Sequence, residues 1–208
     1  MRTGIARSVV LLGLVLVAMG VFSYARSGSP GTVVAHTMAM AAGTPAMGTD
    51  AQDQIAVAMN AAPSAISADA TIMDFVMDAD GKPTVLREGT NDWTCFPDDP
   101  STPDSDPMCL DQMWLDWLTA LMTQGTPNTT KFGMAYMLQG GSTASNTDPF
   151  ATEPAAGEAW VPGPPHVMFL LPGGVSQTGI TTDYSTGGPY VMWAGTPYEH
   201  IMMPVAHE

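Results

Sequence analysis

The spacing of apolar positions changes several times along the chain, and each change marks an element. Residues 9–22 form an apolar run without a charge. Residues 26–50, RSGSPGTVVAHTMAMAAGTPAMGTD, carry no sustained period and read as a flexible Ala/Gly/Met-rich linker. Order begins at AQDQIAVAMNAAP, where Ile55, Ala58, Met59 and Ala62 recur at helical spacing behind a capping Asp50. Pro63 closes this short helix. From Ala70 the spacing changes: TIMDFVM, a DADG turn and TVLREG predict a hairpin over 70–88. Asn91 to Cys95 continues the sheet.

The strongest amphipathic pattern follows. Leu110, Met113, Trp114, Trp117, Leu118, Leu121 and Met122 step by three and four, while Asp111, Gln112, Asp116 and Thr119 take other sides. This predicts a helix over 107–124, capped by Asp106, opened by Pro107 and stopped by a left-handed Gly125. Burying that apolar face, at about 2 kcal/mol per side chain, makes it a main source of core stability. Its tryptophans read as core in preference to a ligand groove.

KFGMAYMLQ, residues 131–139, lacks clean alternation and reads as a strand buried on both faces or covered by the helix. Residues 151–165 read as a proline-set surface connection. Strand 166–171 and a second hairpin over 190–205 complete the pattern. In the last strand, period two puts Tyr198, His200 and Met202 on one face and Glu199, Ile201 and Met203 on the other. The expected fold is a single α+β domain over 51–208: a mainly antiparallel sheet, one amphipathic helix packed on it, and one disulfide.

Composition adds a compartment. Arg2 and Arg7, the apolar run, then Ser23-Tyr24-Ala25 make residues 1–25 a signal peptide, or an uncleaved membrane anchor. No cysteine follows the run, so a bacterial lipoprotein anchor is excluded. Cleavage would leave Arg26, Lys82, Arg87 and Lys131 against 20 acidic residues, a net charge of −16. Such a surface repels phosphate backbones and anionic lipid heads, which argues against nucleic acid and against membrane contact beyond the N-terminal segment. In an exported chain the two cysteines, Cys95 and Cys109, are expected to pair. The closed loop of about 15 residues is worth about 3 kcal/mol.

Few catalytic motifs survive inspection. Gly174-Val-Ser176 and Gly140-Gly-Ser142 each lack the second glycine of a nucleophile elbow. HExxH, CxxC, GxxxxGK and GxGxxG are absent. The DADG turn fails as a calcium loop: with Gly81 sixth, Val76 and Arg87 stand where acids are required. The loop carrying Asp98, Asp99, Asp104, Asp106 and Asp111 could hold a cation but reads first as a solvated acidic surface. His36, Met38 and Met40 form the type of soft donor set an exported copper site uses.

Two further regions carry candidate chemistry. The glycine-rich segment leaving the 131–139 strand offers Gln139, Ser142, Asn146 and Asp148 as ligand contacts, with Tyr198 beside them. His166 and His200, with Asp148 or Asp183, could form an acid-base or metal pair. Cofactors are not indicated.

The blocks NDWTC, DPMCLD, AYMLQGGSTASNTDPFAT, PPHVM and GGPYVMWAGTPYEHIMMPV resemble an uncharacterised family of exported bacterial proteins over residues 53–205. That resemblance implies export to the periplasm or exterior and a single domain, and it names no activity. The expected function is therefore a small-ligand or cation-binding module, with a hydrolase-like enzyme using a His/Asp pair as the alternative.

Overall fold

A computed structural model describes residues 49–77 and 83–205. The apolar run, the linker with His36, Met38 and Met40, and the DADG turn lie outside the described residues.

Helices α1 (Thr49–Met59) and α2 (Ser64–Ser67) precede strands β1 (Thr71–Met77), β2 (Pro83–Arg87), β3 (Trp93–Phe96) and β4 (Met108–Asp111). Helix α3 (Gln112–Met122) leads into β5 (Gly133–Met137), β6 (Gly141–Thr143), β7 (Val161–Gly163) and β8 (His166–Leu170). A 3-10 turn (Tyr184–Thr186), β9 (Tyr190–Met192) and β10 (His200–Pro204) complete the order. Eight strands form one sheet in the order β2-β1-β3-β4-β5-β8-β10-β9, while β6 and β7 pair separately. Among the described strands of the large sheet, only β1 and β3 run parallel. Both expected hairpins form, β1 with β2 and β9 with β10.

Alternation sends neighbouring residues to opposite sides. Phe96, Leu110, Ala135, Met168, Leu170 and Met202 face α3 and join Trp114 and Trp117 in the main core. Their neighbours Cys95 and Cys109 face the other way, into a smaller core with Ala58, Ala61 and Ile72 under α1 and α2. Further along that second face, Val191 and Ile201 are covered by Val175 from the loop after β8. The sheet is thus covered on both sides, with α3 on one and α1 and α2 on the other. Arg87 ties the second side together by donating to the carbonyls of Ser67 and Ala70, each at 2.8 Å.

Two sequence expectations need correction. The helix expected over 107–124 begins only at Gln112, because residues 108–111 belong to β4. Cys109 stands directly opposite Cys95 in the β3–β4 ladder, and their disulfide fixes that register. Pairing in the sheet therefore outweighs the helical spacing that Leu110 also fits. Asp111, not Asp106, caps the helix: its Oδ1 accepts from the Trp114 amide at 2.9 Å, and its Oδ2 accepts from the Met134 amide at 2.7 Å. At the other end Gln124, not Gly125, takes the left-handed conformation, with φ 53°. The Gly125 amide then donates to Ala120 and the Gln124 amide to Leu121, the bond pattern of a Schellman cap.

The second correction concerns residues 151–165. Val161–Gly163 is a strand, paired with Gly141–Thr143 so that Ser142 opposes Pro162. This β6–β7 ribbon lies against the edge of the main core. Gly140 (φ 80°) and Gly141 (φ 152°) permit it: a Cβ on Gly141 would lie 2.6 Å from the Asp106 Cβ, and one on Gly140 2.6 Å from the Gly163 carbonyl oxygen. Among the described residues, no helix is long and apolar enough to cross a membrane.

Candidate functional site

The main core is not filled. Between α3 and the sheet lies a chamber of about 160 Å³, walled by Leu110, Trp114, Trp117, Met168, Trp193 and His200. A second chamber of about 70 Å³ lies beneath the β6–β7 ribbon, walled by Met137, His166, Tyr190, Met192 and Met202. Met137, Ser142 and Thr143 line both, so the chambers are neighbours.

Their walls hold polar atoms without partners. Trp114 Nε1, Trp117 Nε1, Ser142 Oγ, His166 Nε2 and the Tyr190 hydroxyl are buried and make no hydrogen bond. Buried polar groups are nearly always paired, and an unmade bond costs about 1–3 kcal/mol. Five such atoms stand around one cavity system.

His200 stands beside these groups in the wall of the larger chamber. Three indole rings surround it edge to face: Trp114, Trp117 and Trp193, with centroids 5.2, 5.3 and 5.2 Å away. Trp117 and Trp193 stack nearly parallel, 7° apart. Trp193 is held by its backbone, whose amide donates to the Asn146 carbonyl, and by its indole, which donates to the Ser145 carbonyl at 2.8 Å. His200 Nδ1 is 3.0 Å from the Tyr198 carbonyl. A carbonyl can only accept, so the proton sits on Nδ1 and Nε2 carries a lone pair. Burial lowers the imidazole pKa to about 4, against the opposing pull of the Tyr198 carbonyl and with a small contribution from His166.

His166 repeats the arrangement. Its Nδ1 lies 2.6 Å from the Pro164 carbonyl, again leaving Nε2 as the lone pair. Burial lowers its pKa as well, opposed by the Pro164 carbonyl. Burial pushes the Tyr190 phenol up to about 12, with Tyr184 adding to it, so this hydroxyl remains a donor. At the larger chamber's edge, burial lifts the Asp106 carboxyl above the ordinary carboxylate range. Bonds from the Asp99 amide and the Thr102 hydroxyl oppose that rise, while the charges of Asp98 and Asp99 reinforce it.

The sequence candidates separate into three groups. His166, His200 and Ser142 line the chambers. Asn146 and Tyr198 support the walls: the Asn146 side chain donates to the Thr182 carbonyl, and the Tyr198 hydroxyl donates to the Gly125 carbonyl. Gln139, Asp148 and Asp183 are exposed and bonded elsewhere. Gln139 donates to the Asn60 carbonyl, Asp148 accepts from the Phe150 amide, and Asp183 accepts from Ser185.

Among the described residues no histidine–carboxylate pair is built, since both imidazoles spend Nδ1 on a carbonyl two residues earlier. His166 and His200 share a face but not a site, because the directly paired Met168 and Met202 stand between them in the ladder. Among the described residues, no three His, Cys, Asp or Glu side chains come together as a metal site. Periodicity marked Trp114 and Trp117 as core, and they are core, but nothing in their spacing shows that their indole N–H groups lack acceptors. No family model matches this chain, nor does any curated protein or solved structure, so the site stands on its own geometry.

Proposed function

We propose that the chain is an exported binding module whose larger chamber takes a small, neutral, mostly apolar molecule. The observation that carries this reading is the pairing of two acceptor-less indole donors, Trp114 and Trp117, with His200, whose Nδ1 is held by the Tyr198 carbonyl so that Nε2 is the acceptor nitrogen, around one apolar space. Ligand sites are typically apolar with a few convergent polar groups. A chamber near 160 Å³ suits one ring, since a cavity of about 150 Å³ accommodates benzene. Neutral imidazole and the absence of lysine or arginine from the wall disfavour anions. Export is supported by the N-terminal apolar run and by the Cys95–Cys109 disulfide, which persists in oxidising compartments.

Calorimetric titration of the full chain with phenol and with benzene tests the reading. Phenol can donate to His200 Nε2 and benzene cannot, so phenol should bind at least about fivefold more tightly, the worth of one net hydrogen bond. His200→Phe should abolish that preference while still admitting benzene. Failure of both probes to bind, or an undiminished phenol preference in H200F, overturns it.

A further inference from the structure

The smaller chamber offers donors of a different kind. Met137 comes from β5, Met192 from β9 and Met202 from β10, and His166 from β8 completes the wall. His166 is 2% exposed, and its Nε2 is buried without a partner. The Pro164 carbonyl fixes the tautomer that turns a lone pair on Nε2 outward from the ring. Core methionine alone would be ordinary packing, because the side chain fills irregular gaps. The unpartnered imidazole nitrogen is what ordinary packing does not explain.

Thioether and imidazole are neutral, soft donors. Such a set selects monovalent copper over calcium and magnesium, which call for oxygen donors, and over zinc, which accepts imidazole but prefers thiolate or carboxylate to thioether beside it. A single positive charge also costs less to bury than a divalent one where no carboxylate balances it. The ribbon over the chamber is glycine where it meets the donors. A Cβ on Gly163 would lie 3.4 Å from His166 Cε1, and one on Gly141 3.3 Å from Met137 Cε. The lid therefore rests close on the donor groups.

We propose that His166 Nε2 and the thioethers of Met137, Met192 and Met202 form a copper(I) site. It is distinct from His36, Met38 and Met40, and it does not depend on the ligand reading of the larger chamber. The test uses the full chain carrying His36→Ala, Met38→Ala and Met40→Ala, titrated with copper(I) in competition with bathocuproine disulfonate. One copper(I) per chain should be withheld from the chelator, with an X-ray absorption edge showing one nitrogen and two or three sulfur neighbours. Met202→Leu keeps the volume and removes the donor, so it should weaken binding at least tenfold while leaving the melting temperature within a few degrees. His166→Asn should weaken it likewise. Loss of all copper to the chelator, or M202L binding as tightly as its parent, overturns the assignment.

Discussion

Asp111 shows how much one short side chain can settle. Its two carboxylate oxygens serve two elements at once, one capping α3 at Trp114 and the other receiving the Met134 amide of β5. That double use fixes where the tryptophan face of α3 meets the sheet, and so fixes one wall of the larger chamber. Asp111→Ala should lower unfolding stability by about 2 kcal/mol, combining a lost cap with a half-buried amide left unpaired. Denaturant melts of the two proteins measure it, and a change under 0.5 kcal/mol would contradict the double role. Local spacing points to Asp106 as the cap and places Asp111 on a side of the helix. The difference between them is the disulfide partner of Cys109, which lies 14 residues away and is invisible to any local rule.

At the scale of elements, the β6–β7 ribbon is the piece that lines both chambers, and its glycines are set by close approach. Gly141→Ala would press a methyl group against Asp106 at a backbone angle that other residues rarely adopt. It should cost about 1–3 kcal/mol and loosen the ribbon. Hydrogen exchange at Ser142 and Thr143 should rise in G141A, while exchange in α1 stays as it was. Equal acceleration in both would show global loss instead. Long, strongly patterned elements were legible before the structure: both hairpins, α1, the buried face of α3 and the alternation of β10 follow from local spacing. The ribbon was not, because β6 and β7 are three residues each and their pairing joins segments 20 residues apart in chain order. Ser142, His166 and His200 stood out as chemically capable residues. The methionines of the smaller chamber did not, since a chain with 17 of them gives no reason to prefer these three.

For the whole molecule, the buried imidazoles link stability to pH. His166 and His200 both have pKa values lowered by burial, so the unfolded chain binds protons that the folded chain refuses. Their stabilisation is complete above the ordinary histidine value of about 6.5 and is lost as pH falls toward about 4. Glu199 acts in the same sense at lower pH. Burial alone would raise its carboxyl, but bonds from Gly195, Ser176 and Val175 hold it below the ordinary range. Asp106, whose carboxyl is raised, opposes them. The melting temperature should therefore drop between pH 6.5 and 4, and His200→Phe should flatten much of that slope. An H200F protein with an unchanged slope would show that His200 is not the main titrating group. The indole cage around this imidazole has one more consequence. Three of the chain's five tryptophans ring His200, with Trp117 beside Trp114 on one side and stacked on Trp193 on the other. Intrinsic emission and near-ultraviolet dichroism should therefore report on the chamber itself, with imidazole protonation quenching the first and occupancy altering the exciton signature of the second. The protein can be watched without a label.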